Sequence, residues 1–292
     1  MSFNLEIKKE LCRLPRQREC CAAAECMGML LYSARFSALE VRMQSESAEV
    51  RRRAAALFRQ VFGTELLAEG AVLHTENAED IRRIYGAFGY EYKNSPLYLN
   101  RAVLEEPCCE SAFLRGAFLM GGCVSAAGKG YHLELVTSHY NVSRQTQTLL
   151  GDMGMTVGSM MRRGNRVLYS KDSSVIEHFL GAAGATGAAM ELMLKKVERE
   201  LRNKVNRSVN CETANLSRTL EAARLQIETV ERLKQTGRYD ELSPALKQTA
   251  ELRCAYPDLS LAELCELFDP PLSKPGLSNR LRKLTEIARD EK

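Results

Sequence analysis

Apolar positions along this chain follow helical and strand periods in turn, and the order in which they do so occurs twice. Phe3, Ile7 and Leu11 fall on one helical face and Lys8, Lys9 and Glu10 on the other, which predicts an amphipathic helix over residues 3–14 that Pro15 ends. A small-residue apolar stretch with a central glycine follows, Cys20 to Leu31 around Gly28. Leu39 to Met43 then alternates as a strand, and Ala48 to Phe62 is a polar helix closed by Gly63. A second strand pair centres on Leu66 to Leu73, and a last helix covers Ala78 to Phe88. The series returns as a small-residue helix around Gly116, a strand Tyr131 to Val136 with its turn at Gly128-Lys129-Gly130, and a helix Val142 to Met153 before Gly154. A strand pair over Val157 to Tyr169 and a helix Ser173 to Leu180 complete it.

The two series match residue by residue in places. Cys20-Cys21 precedes Gly28 by the same interval as Cys108-Cys109 precedes Gly116. Val72-Leu73-His74-Thr75-Glu76-Asn77 aligns without a gap to Val167-Leu168-Tyr169-Ser170-Lys171-Asp172, and Gly86-Ala87-Phe88-Gly89 aligns to Gly181-Ala182-Ala183-Gly184. Two blocks in the same order indicate a duplicated unit of roughly ninety residues. A glycine in each apolar helix lets two such helices approach backbone to backbone.

Beyond Gly187 the pattern becomes wholly helical. A helix from Ala188 to Asn206 carries Met190, Met193, Leu194, Val197 and Leu201 as its apolar side, with Lys195, Lys196, Arg199 and Arg202 among its basic residues. The polar run Ser208 to Leu216 predicts a break, with Asn210 or Thr213 capping a further helix, Ala214 to Thr236, that Gly237 stops. Three short helices follow: Pro244 to Arg253, one from Leu261 capped by Ser260 or Asp258, and one after Pro270-Pro271. In the last, Leu277, Leu281 and Leu284 form one stripe, and Ser278, Asn279, Arg280, Arg282 and Lys283 lie off it. Two short helices about a tight turn, the second basic and polar outward, read as a helix-turn-helix, with a three-helix peptide-binding bundle as the alternative. The expected division is residues 1–185 for the duplicated domain (repeats about 15–95 and 103–185), 186–240 for a helical linker and 241–292 for the helix-turn-helix.

Length and composition leave this picture in place. The 292 residues suit two domains, and 45% hydrophobic with 27% charged residues is ordinary for a globular protein. A net charge of +4 permits a nucleic-acid partner without requiring one, so any basic surface must be local. The start has no apolar signal-peptide core, and no apolar run approaches the roughly 20 residues that span a bilayer, so a cytoplasmic protein with no membrane partner and reduced thiols is expected. None of the ten cysteines forms a Cys-x-x-Cys, and an adjacent pair is poorly placed to chelate one zinc. The four histidines, His74, His132, His139 and His178, have no metal or nucleophile spacing. No metal, cofactor or catalytic residue is therefore expected.

The chemistry to expect is recognition of double-stranded DNA. Arg can fork onto guanine, Asn onto adenine, and Lys or Ser can hold phosphates. Ser273, Lys274, Ser278, Asn279, Arg280, Arg282 and Lys283 are the candidate contacts, and Arg280→Ala should cost roughly 1–3 kcal/mol if its guanidinium reaches a base. Lys195, Lys196, Arg199 and Arg202 on the linker and Arg162 and Arg163 on the second repeat are auxiliary candidates, with Arg42, Arg51, Arg52, Arg53, Lys129 and Arg166 also outward. Glu40 and Glu134 on the strands argue against a uniformly positive surface.

Leu114-Arg115-Gly116-Ala117-Phe118-Leu119-Met120-Gly121-Gly122 resembles the LAGLIDADG motif of homing endonucleases, and Cys26 to Ala34 resembles a degenerate partner. In that family two such helices pack at a pseudo-dyad, and an acid near the end of each binds a divalent metal. Ser33 and Gly121 stand at those positions here, and neither can hold a hard cation. Glu25 and Glu110 lie at the other end of their helices. The whole chain, from Met1-Ser2-Phe3 through the double cysteines and Ser208 to Leu216 to the closing Ser273-Lys274-Pro275-Gly276-Leu277-Ser278-Asn279-Arg280, resembles the WhiA family of bacterial regulators linked to sporulation and cell division. The resemblance implies an α+β fold: a duplicated LAGLIDADG homing-endonuclease-like domain, a helical linker and an all-α helix-turn-helix domain. It also implies a nucleoid-associated transcription regulator without nuclease activity. A WhiB-type iron–sulfur protein is a known partner of actinobacterial members. Two other readings stay open: a division-linked DNA-binding protein that does not act at promoters, and a metal-dependent nuclease.

Overall fold

The computed structural model describes residues 2–15, 18–92, 96–127 and 130–289. The chain divides into two compact units, Met1–Val197 and Glu198–Lys292.

The first unit is built on two apolar helices. After α1 (Phe3–Arg13), α2 (Glu19–Leu31) is buried from Cys21 to Leu31 with the single exception of Ala23. It leads to β1 (Arg35–Phe36) and β2 (Val41–Gln44), then α3 (Ala48–Phe62), β3 (Leu67–Glu69), β4 (Val72–Thr75) and α4 (Ala78–Ala87). Ser47 caps the start of α3 by accepting from Val50 N, and Gly63 ends it in the left-handed conformation (φ 63°). The second series is α5 (Pro107–Gly121), β5 (Gly122–Ala127), β6 (Gly130–Thr137), α6 (Tyr140–Asp152), β7 (Gly158–Arg162), β8 (Asn165–Ser170) and α7 (Ser173–Ala183). Each series forms a four-stranded antiparallel sheet, in the orders β1-β2-β4-β3 and β5-β6-β8-β7. The duplication read from the sequence is thus a duplication of topology. The Gly128–Lys129 part of the expected turn lies outside the described residues.

The two repeats meet at α2 and α5. A Cβ on Gly28 would stand 2.2 Å from Phe113 O and 2.8 Å from Ala117 N; one on Gly116 would stand 2.1 Å from Glu25 O and 2.9 Å from Met29 N. The near-equal figures, made by equivalent residues, describe a pseudo-twofold crossing that only glycine permits. Beside it the symmetry is broken. Arg115 Nε donates to Glu25 Oε2 at 2.8 Å, Arg53 donates to both oxygens of the same carboxylate, and both Glu25 and Arg115 are about 2% exposed.

One helix, α8 (Thr186–Gln235), replaces the two expected over residues 188–236. No glycine or proline lies between Ala188 and Thr236, and the polar run costs a helix only tenths of a kcal/mol per residue. Its side chains bond along the helix instead of capping a new one, as Ser208 does to Glu212 and Thr219 to Asn215 O. Residues 186–240 are also not a separate linker. Ala188, Ala189 and Leu192 belong to the first unit's core, and Val230 and Leu233 to the second's. The side read as apolar, Met190, Met193, Leu194, Val197 and Leu201, is exposed; the inward residues at this end, Ala188, Ala189 and Leu192, are offset from it.

In the second unit α9 (Pro244–Ala255), α10 (Leu261–Glu266) and α11 (Lys274–Arg289) close on the end of α8 around Leu246, Ala250, Leu264, Phe268, Leu277, Leu281 and Leu284. Among the described residues, no helix is long and apolar enough to cross a membrane.

Candidate nucleic-acid interface

The turn before α10 is fixed from inside. Arg253, 1% exposed, donates from one terminal nitrogen to Tyr256 O, Pro257 O and Leu259 O at 2.6, 2.7 and 3.0 Å. These carbonyls would otherwise be poorly satisfied around a buried side chain. Ser260 and Glu263 form a reciprocal capping box at the start of α10. Hydrogen bonds from Ser260 hold the Glu263 carboxyl below its ordinary range. Leu264 and Cys265 anchor α10 inward, and Leu277, Leu281 and Leu284 anchor α11.

With those leucines buried, α11 turns one face to solvent. Lys274, Ser278, Asn279, Arg282 and Lys283 are all exposed. At 100° per residue they fall within one half of the helix circumference. Ser273, also exposed, accepts from Gly276 N at 3.2 Å and so caps the helix it precedes. Arg282 has Glu286 one turn on, at 3.6 Å.

Arg280 departs from expectation. It is half-buried, its guanidinium lies 5.7 Å from the Phe268 ring centre, and it reaches Ala245 O at the start of α9 at 3.5 Å. Arg280 sits on the flank of the leucine stripe, where a long side chain can cover apolar surface while keeping its charge near carbonyl oxygen. It braces α11 against the bundle, and is not on the outward face where the sequence placed it.

In the first unit the outward basic residues of the sheets are largely neutralised by acids. Arg35 and Arg42 both approach Glu40, at 3.2 and 3.6 Å. Arg162 donates to both oxygens of Glu134 at 2.8 and 2.5 Å, and this fork holds the Glu134 carboxyl below its usual range. Arg163 occupies the exposed turn between β7 and β8 with φ 50°. Arg166 stacks on the Tyr140 ring at 4.8 Å, and Arg53, expected outward, is drawn inward to Glu25. On α8, Lys195 pairs with Glu191, and Lys196 reaches Ser174 Oγ at 3.2 Å with Glu177 at 3.8 Å; Arg202 is exposed and Arg199 half-exposed. Lys129 lies outside the described residues.

The positions that correspond to a nuclease's metal-binding acids are closed. Ser33 Oγ donates to Leu30 O at 2.7 Å. A Cβ on Gly121 would stand 2.4 Å from Val136 O and 2.8 Å from the Tyr32 ring, so a carboxylate has no space there. Among the described residues, no group of three or more His, Cys, Asp or Glu side chains gathers at this end of the helices. At the opposite end the structure does what spacing along the chain did not suggest: it brings Cys20, Cys21, Cys108 and Cys109 together. Neither pair alone could surround a cation, but the pseudo-dyad supplies the second pair.

Comparison with known proteins places these features together. A model described as the WhiA C-terminal HTH domain matches residues 205–288, and one described as the WhiA LAGLIDADG-like domain matches residues 110–202. A relative named "Probable cell division protein WhiA" from Ruminiclostridium cellulolyticum is 36% identical, over 99% of this chain and 97% of its own length. One of the same name from Alkaliphilus oremlandii is 35% identical, again over 99% and 97%. The crystal structure of full-length DUF199/WhiA from Thermatoga maritima superposes with a TM-score of 0.60 at 25% identity, covering 99% of this chain and 97% of that one.

Proposed function

Since this chain belongs to the WhiA family, we propose that it is a sequence-specific regulator of transcription that reads duplex DNA with α11 and uses the LAGLIDADG-like unit as a catalytically inert scaffold. The observation that carries this reading is the division of α11 into a leucine face locked in the bundle and an exposed face of Lys274, Ser278, Asn279, Arg282 and Lys283. A helix presented this way fits a major groove. Asn279 is the candidate for adenine and Arg282 for guanine, with Glu286 as the resting partner that a base would displace. Lys274, Lys283, Ser273 and Ser278 are placed for phosphates, which set register and supply the salt-dependent share of affinity. Arg163, Arg199 and Arg202 are the stronger auxiliary contacts, because Arg162, Lys195 and Lys196 already face carboxylates.

The closed Gly121 position supports a role without strand cleavage. The relatives' name, probable cell division protein, supports target genes of cell division. DNA binding would place the protein at the nucleoid.

Selection from a random-core duplex pool tests the reading. Full-length protein should enrich one motif, and a Lys274→Ala/Asn279→Ala/Lys283→Ala variant should enrich none while keeping its thermal unfolding profile. Enrichment of the same motif by both proteins would move the reader to another surface. Equal affinity for motif and random duplex would favour a DNA-organising protein over a promoter-specific one. Magnesium-dependent cleavage of duplex DNA by the wild type would overturn the inert scaffold.

A further inference from the structure

The four clustered cysteines lie where the two repeats begin their central helices. Cys20 and Cys21 occupy the second and third positions of α2, Cys108 and Cys109 those of α5. All four Sγ atoms lie within 4.8 Å of one another, and all four are free thiols. We propose that they hold a single tetrahedral thiophilic divalent cation of the zinc type, which ties the two repeats together.

Three features support one ion. A zinc–thiolate bond of about 2.3 Å sets the sulfurs of a tetrahedron roughly 3.8 Å apart, so small side-chain rotations close the observed cluster onto a metal. An iron–sulfur cluster interposes its inorganic core between its thiolates and needs a wider frame than this. Mutual proximity also suits a central ion better than a disulfide, which would join two sulfurs and leave two aside. The sulfurs of one repeat lie within that same 4.8 Å of those of the other, so the cluster spans the two repeats.

The setting suits a structural site. Cys21 and Cys109 are buried and Cys20 and Cys108 half-buried, which leaves no open face on the inner side. A free cysteine thiol keeps its proton at neutral pH. A divalent cation changes that balance: four S–H bonds break, four metal–sulfur bonds form, four protons leave to water, and no atom changes oxidation state. The resulting excess negative charge lies at two helix N-termini, whose dipoles favour it. The site is distant from the closed Ser33 and Gly121 positions: thirteen residues from Cys20 to Ser33 extend about 20 Å along a helix.

The test uses the full chain, purified under reducing conditions, stripped with a chelator and titrated with Zn2+ and, separately, Co2+. The expected results are one equivalent bound, a cobalt spectrum with thiolate charge-transfer bands and the intense ligand-field bands of a tetrahedral site, and a higher unfolding temperature. Cys20→Ser and Cys108→Ser, at the half-buried positions, should each weaken Co2+ binding by more than the ~10–100-fold that loss of an outer-shell partner costs. Cys211→Ser, at an exposed site on α8, should leave it unchanged. The proposal falls if no equivalent binds, if the spectrum is octahedral, or if Cys20→Ser and Cys108→Ser leave the spectrum intact. It also falls if mild air oxidation in the presence of Zn2+ takes two hydrogens from these cysteines, which would mark a disulfide pair.

Discussion

Replacing Gly116 by alanine adds one methyl group where α2 and α5 touch. The new Cβ would lie 2.1 Å from Glu25 O, against a backbone atom that cannot rotate away. Restoring an ordinary contact requires the helices to separate by about 1 Å, and a gap of that size forfeits a quarter to a half of each dispersion contact it opens. Overpacking of this kind costs about 1–3 kcal/mol and sometimes more. The contact atoms are main chain within two buried helices, so the upper end applies. Alanine recovers about 1 kcal/mol through its better helix propensity. Separation also stretches the Arg115–Glu25 bond, which starts at 2.8 Å in a site sealed from water. The expected net loss is about 2–3 kcal/mol. Gly151, near the end of α6, has nothing within 4 Å of its Cβ position, so Gly151→Ala should gain up to about 1 kcal/mol. Urea unfolding followed by tyrosine emission suits the comparison. The chain has no tryptophan, and of its ten tyrosines only Tyr239 and Tyr256 lie in the second unit. If Gly116→Ala unfolds within about 0.5 kcal/mol of wild type, the size of an ordinary surface change, the close crossing is refuted.

Arg115→Met leaves Glu25 paired with Arg53 and should cost about 3–5 kcal/mol by the same assay; Glu25→Gln in the Arg115→Met background should recover part of it. Burial holds the His139 imidazole below its ordinary value of 6.5, so the unfolded chain protonates first as pH falls. Stability should therefore drop below about pH 6.5 and level off beneath the folded-state value, and His139→Gln should flatten that part of the curve of urea midpoint against pH. Lys283→Ala should weaken binding on all duplexes and lower the salt slope by about 1, whereas Asn279→Ala should cost about 1–3 kcal/mol on the selected motif and little on random DNA. Arg280→Ala should lower the unfolding temperature of the second unit and weaken motif and random duplex alike, as expected of a brace; a loss confined to the motif would restore it as a base contact.

The elements most legible in the sequence were those with both ends marked. The helix read at about Ala48 to Phe62 has those bounds: Gly63, its expected stop, ends it, and Ser47, a capping residue type whose role was not read from the sequence, starts it. The duplication was legible because glycines and flanking apolar residues recur at fixed intervals, and the same intervals located the crossing at Gly28 and Gly116. What escaped was decided by contacts between distant segments. Ser208 to Leu216 has the composition of a break but lacks a glycine or proline to enforce one, so α8 runs through it. Arg280 lies one position from Asn279 and Leu281, and sequence period alone cannot decide which side of a leucine stripe a flanking arginine covers; Phe268 decides it. The thiol cluster joins residues 88 apart, beyond the reach of any local spacing rule, although the double cysteine at equal distance from each glycine was its visible trace.

The buried ion pair at the crossing also bears on descent. The glycines are the same in both halves, but the charges are not: Glu25 corresponds to Phe113 in the other repeat, and Arg115 corresponds to Met27. A self-paired assembly of the first half would set Glu25 against methionine, and one of the second half would set two arginines against phenylalanine. A self-paired first half would keep each Glu25 with its own Arg53, whereas a self-paired second half would bury two arginines with no carboxylate between them, so the bar to self-pairing lies on one side of the crossing only.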